Sequence, residues 1–426
     1  MSQDRLANKP VEVAICPHSL DRHGLGYRGS PIRVDSSGAW WRIAIVMFAV
    51  AYGANQFVPM LLVYRRTLHL SEAELLAMFG VYTLGLAPAF ILSAPAAARY
   101  GQRTLLLFCA LASIASSIFL IAGPWVPGML YLGRFAAGIA SGGVFAVGTS
   151  WLRELSEETG GGKAARRAAI SLTAGFGMGP LVAGALGRWA PAPDLVPYAV
   201  HIALGTVALV LAWPVATSKR LDRSLPWNVV LKLPGRSRQW MLTSVVPVAP
   251  WVFGFASVAF VLVPTRAPGL LGGGPLAAGV LTAAALGIGA IVQTAAKSLR
   301  LESNRASLAG LALGAIGFGF AAAAGAGRSE AFPLMAIGLL GSGYGLALLG
   351  GLGTIATSGD LDSANHVALF YVIAYGGAWA PFVLNELAGR VGYGASFASA
   401  ACLVALTAVL VGLGQRRRSL ITSTTH

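Results

Sequence analysis

Twelve stretches of apolar residues, each long enough to cross a bilayer as a helix, recur along this chain of 426 residues. A spanning helix needs about 20 such residues. Only 11% of the residues are charged, whereas a soluble domain carries about 25%. The chain is therefore expected to be an all-α membrane protein. The predicted spans are 42–62, 74–95, 104–123, 128–150, 168–187, 196–216, 241–263, 275–296, 306–325, 332–355, 366–388 and 393–413.

The longest linker divides these spans six and six. It covers residues 217–240 and has the sequence TSKRLDRSLPWNVVLKLPGRSRQW. We expect two six-helix bundles, over 42–216 and 241–413, preceded by a polar tail (1–41) and followed by a second tail (414–426). Two related bundles of this kind place a substrate near mid-membrane, between the halves.

The basic residues behind the net charge of +15 are distributed unequally between the two sides of the predicted topology. With both termini inside, 24 of the 31 Lys and Arg residues lie on the cytoplasmic side and six on the opposite side. This bias predicts a multi-pass protein of the inner (plasma) membrane with both termini in the cytoplasm, facing anionic lipid. It argues against a nucleic-acid partner, which needs cations clustered on a folded domain. Cys16, Cys109 and Cys402 lie far apart and indicate neither a metal site nor a disulfide framework.

Basic residues mark the loop between the second and third spans, where the sequence runs from Ala94 to Arg103 as APAAARYGQR. Arg99, Gly101 and Arg103 match the pattern G-x-x-x-D-R-x-G-R-R, whereas Ala98 replaces its aspartate. The loop thus resembles the major facilitator superfamily, and within it the twelve-helix drug–proton antiporters. The resemblance implies a gating role for these three residues and, because Ala98 carries no carboxylate, a weakened or replaced latch. The alternative is that they are ordinary cytoplasmic cations.

Two further segments carry the resemblance. The fourth span contains Arg134-Phe-Ala-Ala-Gly138, similar to the family's R-x-x-x-G stretch, whose arginine the family links to proton coupling. A cation at this depth must reach the interface, pair, or line a wet cavity. The fifth span reads GFGMGPLVAG and resembles the antiporter motif G-x-x-x-G-P-x-x-G-G. The resemblance gives its residues Gly175, Gly179, Pro180 and Gly184 a conformational role and favours export.

Aromatic and amide side chains inside the spans are candidates for a substrate cavity, because such cavities combine apolar walls with a few polar anchors. Each of them could instead make a contact between helices. Tyr371 and Tyr375, four residues apart, share a helix face. The full set is Tyr52, Asn55, Gln56, Tyr82, Trp251, Gln293, Tyr344, Tyr371, Tyr375 and Trp379.

No acidic residue falls clearly at mid-membrane, where proton-driven antiporters usually carry one. Glu386 lies late in the eleventh span, while Glu72 and Glu74 are placed just before the second, and Asp360 and Asp362 before the eleventh. Three possibilities for coupling follow: Glu386 acting with Arg134, His201, or no proton coupling.

The expected function is export of a small amphipathic or drug-like molecule by alternating access, in exchange for protons. Uptake of a small nutrient by symport is the first alternative, and a membrane-embedded transferase is the second. A structural or sensor role is the weakest alternative. The expected partners are the substrate, protons and the lipid bilayer, with no cofactor and no metal, and the chain is expected to be a monomer.

Overall fold

The computed structural model describes residues 38–156, 161–215, 224, 226–227, 240–324, 329–357 and 363–423. In this part of the chain, ten helices are long and apolar enough to cross a membrane, and Val196–Ala212 is a shorter apolar helix. One of the ten, Asn365–Gln415, changes direction at Gly392 and accounts for two crossings. The predicted fold of twelve helices is therefore confirmed. The tail up to residue 37, most of the linker, and Asp360 and Asp362 lie outside the described residues.

The helices are labelled in chain order. The bend at Gly392, with φ +81°, separates α11 from α12 within the helix Ala380–Ser423. A 3-10 turn, Gly377–Trp379, interrupts α11. The bounds are α1 Trp40–Thr67, α2 Glu72–Tyr100, α3 Gln102–Ala122, α4 Gly128–Glu154, α5 Gly161–Trp189, α6 Val196–Ala212, α7 Met241–Arg266, α8 Gly274–Ser298, α9 Ser303–Ala324, α10 Ala331–Ala356, α11 from Ser363 to the bend, and α12 from the bend to Ser423.

The start of α2 corrects the predicted position of two acidic residues. Ser71 and Glu74 form a reciprocal capping box, in which each side chain binds the backbone N–H of the other residue. The helix therefore begins at Glu72, and Glu72 and Glu74 lie in its first turn instead of before it. Acidic groups are favourable there because the first turn carries the positive end of the helix dipole.

A close contact between α2 and α4 depends on glycine. A Cβ on Gly138 would meet the carbonyl oxygen of Tyr82, and one on Gly142 would meet that of Leu86. Gly85 of α2 faces the backbone of Phe135 in the same way. Small residues let two backbones approach in lipid, where packing rather than water drives helix pairing. The glycine spacing after Arg134 thus positions α4 against α2.

We expect Gly138→Ala to lower the free energy of unfolding by about 1–3 kcal/mol, the usual cost of overpacking. Gly177 is the matched control, since it is also a helical glycine but a Cβ on it would have no atom of another described element within 4 Å. Gly177→Ala should raise stability slightly, because alanine is the better helix former. Thermal unfolding of both variants in one detergent checks the prediction, and equal shifts would contradict it.

The two halves of the chain share one apolar core, to which the first half contributes near one face of the molecule. Residues of the second part of α1 and the first part of α2, such as Phe57 and Phe79, belong to the same buried cluster as α7, α10 and α11. Residues of the first part of α1, such as Ile43 and Met47, form a separate cluster with α3 and α4. The residues that the first half contributes to it lie on the side where α1 ends and α2 begins. By the charge bias this is the predicted outer face.

Candidate transport site

Six aromatic side chains form a cluster at mid-depth, where the two halves meet. Phe253 and Tyr344 lie at the midpoints of α7 and α10, with ring centroids 6.0 Å apart. Phe253 also stacks on Tyr375 of α11 at 4.0 Å and 13°. From the first half, Phe90 of α2 contacts Tyr371 at 5.5 Å. We define the central cluster as Tyr82, Phe90, Phe253, Tyr344, Tyr371 and Tyr375, since Tyr82 belongs to the same buried cluster as Tyr375.

Trp379 joins α11 to α2 beside this cluster. Its indole Nε1–H donates to the hydroxyl of Thr83 at 2.9 Å. A Cβ on Gly80 would lie 2.8 Å from the indole ring, so glycine is needed for this approach. The 3-10 turn that ends at Trp379 aims the indole across the interface. Such a hydrogen bond between the halves can break during a conformational change if water reaches the separated groups. Water then replaces the lost partner, so that no buried polar group is left unpaired.

Four of the predicted cavity residues thus lie in the central cluster, a fifth, Trp379, lies beside it, and others are placed inside one half. The hydroxyl of Tyr52 has no hydrogen-bond partner among the residues that the structure describes, and its ring stacks on His201 within the first half. Gln56 donates to Ser117 of α3 at 3.3 Å. Trp251 stacks on Phe255 in the second half. Asn55 and Gln293 are half-buried.

An ion pair and its neighbours connect the halves at the predicted outer face. The Arg266 guanidinium, at the end of α7, donates to both carboxylate oxygens of Glu72, in the first turn of α2. Thr265 also donates to Glu72, at 3.1 Å. The guanidinium lies 4.1 Å from the ring centroid of Tyr393, whose hydroxyl contacts Asn385. These five residues are called the outer network.

The glycine–proline segment of α5 contacts helices of both halves. Gly175 and Gly179 face the backbone of α1, around Phe48 and Tyr52. On the other half, a Cβ on Gly184 would lie 2.6 Å from the carbonyl oxygen of Pro275 in α8, and one on Gly279 would meet that of Pro180. The spacing of this segment therefore brings α5 into backbone contact with both halves.

The two arginines of the α2–α3 connection hold neighbouring segments. Gly101 has φ +88°, a conformation that favours glycine and allows the sharp turn between these helices. Arg103 donates to the carbonyl of Trp213 at 2.6 and 3.1 Å, just after α6 ends. A cation is favourable at that helix end. Arg99 lies 4.4 Å from the ring centroid of Trp227 in the linker. Because Ala98 carries no carboxylate, it cannot pair with either arginine, and both arginines make these contacts instead.

Arg134 lies six residues after the start of α4, about 9 Å deep at 1.5 Å per residue. Its side chain is 1% exposed. The guanidinium donates to the carbonyl of Ala54 at 3.1 Å, next to the interruption of α1 at Gln56. Its carbon lies 4.4 Å from the ring centroid of Phe57, 4.6 Å from that of Tyr82 and 5.9 Å from that of Phe79. The structure therefore surrounds this cation with aromatic faces.

His201 is hydrogen-bonded on both ring nitrogens inside the first half. Its Nε2 lies 3.2 Å from the carbonyl oxygen of Ala49, which can only accept, so Nε2 carries the hydrogen. Nδ1 then accepts from Ser117 at 2.7 Å, and Gln56 donates to the same hydroxyl. These hydrogen bonds fully satisfy the neutral imidazole. The other candidate for coupling, Glu386, is exposed on α11 next to Asn385 of the outer network.

Several residues of these contacts were not singled out by the sequence. Phe90 and Phe253 are two of eighteen phenylalanines, and nothing local distinguishes them. Glu72 and Arg266 are 194 positions apart. Their pairing could have been suspected only because Glu72 and Arg266 both lie at predicted helix ends on the same side of the membrane.

Twelve apolar helices in two halves that meet at an aromatic cluster are the architecture of a membrane transporter. The chain belongs to the Major Facilitator Superfamily, which its sequence matches over residues 43–382. No curated protein sequence matches it. The family match identifies the chain as a transporter and not as the membrane-embedded transferase considered from the sequence.

Three solved structures show the same fold at low sequence identity. The peptide transporter POT in complex with sulfate is 12% identical with a TM-score of 0.75, over 89% of this chain and 94% of that one. A D-xylose–proton symporter is 15% identical with a TM-score of 0.65, over 87% and 96%. The inward-open xylose transporter XylE from E. coli is 14% identical with a TM-score of 0.66, over 88% and 95%.

The stack of Phe253 on Tyr375 gives a prediction about this site. Phe253→Ala removes the ring that touches two other members of the central cluster, and an aromatic pair contributes about 0.5–1.5 kcal/mol beyond its buried area. We expect substrate affinity to fall about tenfold, for a total loss near 1.4 kcal/mol. Phe320→Ala is the control, because that ring pairs with Phe332 away from the cluster. Equal transport by both variants would contradict a role for the cluster.

Proposed function

We propose that this chain exports a small amphipathic molecule by alternating access of its two halves, 42–216 and 241–413, in exchange for protons. The observation that carries the proposal is the aromatic central cluster between the halves, next to an interface that is closed on one side by an ion pair. We propose further that it acts as a monomer in the plasma membrane with both termini in the cytoplasm.

Alternating access needs a contact between halves that can close one face and release it. The outer network supplies such a contact, because Glu72 and Arg266 belong to different halves and are each about one-fifth exposed. A pair that water can reach costs less to separate than a fully buried one. With the predicted orientation, we assign this arrangement to the state closed to the outside.

Export is favoured by the glycine–proline segment of α5. The backbone of α5 contacts α1 in the first half and α8 in the second half. A change in the tilt of α5 can therefore change how far the outer ends of the two halves separate. In the drug–proton antiporters that the sequence resembles, this segment accompanies export. Uptake by symport is the second candidate, because the solved structures of similar fold include a D-xylose–proton symporter.

Transport by proteoliposomes with an imposed pH gradient tests the proposal. Purified protein is reconstituted and challenged with neutral, cationic and anionic aromatic compounds, with accumulation followed in each direction of the gradient. Export predicts that solute moves against the proton flow. Accumulation along the proton flow would establish symport, and no protein-dependent flux of any compound would contradict transport.

A further inference from the structure

Arg134 is a buried cation whose contacts leave most of its hydrogen-bonding capacity unused. A guanidinium has five N–H donors. Within the described part of the chain, one of them reaches Ala54, and Nε has no hydrogen-bond partner. Among the described residues, the ion pairs Glu72–Arg266 and Glu302–Arg305 lie elsewhere. A charge taken out of water without a counter-charge is costly, so this group is predisposed to bind an anion.

The rings around Arg134 offset part of that cost. Phe57, Phe79 and Tyr82 present their faces to the guanidinium, and a desolvated cation is attracted to the face of an aromatic ring. No ring can accept the strong directional hydrogen bonds that a carboxylate or phosphate accepts from this group. The aromatic cage is therefore a weaker partner than an anion.

Two rings of the cage face the interface between the halves. Tyr82 belongs to both the cage and the central cluster. Phe79 contacts Phe260 of α7 edge-on, with centroids 6.1 Å apart. Because α2 and α7 lie in different halves, opening of the outer face separates Phe79 from Phe260. Once it is separated from Phe260, the ring of Phe79 can move away from Arg134. The guanidinium is then exposed on the side that faces the central cluster.

We infer that Arg134 binds the anionic group of the transported molecule, and that the substrate is an organic anion with an aromatic or other apolar body. This inference rests on the proposed transport function and names its substrate class. The central cluster receives the apolar body, and the guanidinium, one ring away across Tyr82, receives the carboxylate or phosphate. A cation is repelled at this position, and a neutral group compensates the buried charge poorly.

The cage also provides a means of release. In the state closed to the outside, the rings of Phe79 and Tyr82 cover the guanidinium. In the state open to the outside, the anion takes their place. The cation thus has a partner in each state, and return of the rings displaces the anion. Substrate charge can thereby drive the conformational cycle without an acidic residue at mid-membrane.

Three compounds that share the same ring system but differ in charge test the inference. Indole-3-acetate is anionic, indole-3-acetamide is neutral and tryptamine is cationic. We expect proteoliposomes with the wild-type chain to transport the acetate about tenfold faster than the other two, since hydrogen bonds to charged groups are the strong ones. Arg134→Gln should abolish this preference, and Arg134→Lys should keep it at a lower rate. Arg65→Gln, which removes an exposed cation on the same face, should leave it unchanged.

Chemical modification of Arg134 gives a second measurement that needs no transport. Phenylglyoxal modifies accessible arginines, and mass spectrometry identifies the modified positions. Arg134 should be protected in the closed protein and modified in Glu72→Gln, which opens the outer face. Indole-3-acetate should prevent the modification, and tryptamine should not.

Three outcomes would overturn the inference: equal transport of the three compounds, an acetate preference that survives Arg134→Gln, or an Arg134 that stays unmodified in a protein shown to be open. Each leaves the proposed function intact as long as any solute is carried. Loss of protein-dependent flux for every solute would instead count against transport itself.

Discussion

Replacing Gly279 with leucine should make closure of the outer face less favourable and should reduce transport about 5- to 150-fold. A Cβ at this position already meets the carbonyl oxygen of Pro180 and lies 3.3 Å from the Cα of Gly184. The larger side chain can fit only if α5 and α8 move apart, and these helices belong to different halves. Overpacking typically costs about 1–3 kcal/mol, which corresponds to that range of populations.

The expected loss of transport comes from a shifted equilibrium and not from unfolding. Every cycle passes through the state closed to the outside, so a smaller population of that state lowers the rate in proportion. Gly287→Leu is the matched control on the same helix, because a Cβ there would meet no atom of the described residues around it within 4 Å. It should transport at the wild-type rate.

Spin labels at Thr67 and Leu271 can measure the separation of the outer ends directly. Both residues are exposed and lie on different halves. Gly279→Leu should show a longer distance distribution than the wild type, whereas Gly287→Leu should not. A wild-type distance together with a wild-type rate in Gly279→Leu would show that close approach of α5 and α8 is not needed for the cycle.

The helices and their number could be predicted from the sequence because a bilayer imposes a length on each apolar stretch. The predicted bounds of α4 and α8 differ from the observed ones by a few residues. The glycines of α5 and the charge of Arg134 were also visible, because each is unusual at its depth. These features can be recognised from a single helix and the lipid around it, without knowledge of the neighbouring helices.

The partners across the interface could not be predicted because a spanning helix is apolar on every side. Its hydropathy pattern therefore does not say which face turns toward another helix. Gln56 and Tyr82 both looked like cavity residues, but only rotation of their helices decides that Gln56 reaches Ser117 while Tyr82 reaches Arg134. The same holds for Phe253, whose stacking on Tyr375 depends on α7 and α11 meeting at one depth.

Neutralising Glu72 should open the outer face. In Glu72→Gln the Arg266 guanidinium loses its charged partner and keeps only the ring of Tyr393 and a neutral amide. Pairs near a protein surface are worth up to about 4 kcal/mol before solvation is counted, so a net shift of about 1–3 kcal/mol toward the open state is expected. The spin-label pair at Thr67 and Leu271 should show the longer distance in this variant.

Charge on Glu72, and not its shape, should be responsible for this effect. Glu74→Gln is the control in the same helical turn, since glutamine still completes the capping box and only the charge is lost. It should keep the short distance. The exchanged pair Glu72→Arg with Arg266→Glu should restore part of the closed population. A short distance in Glu72→Gln would show that the outer network does not hold the halves together.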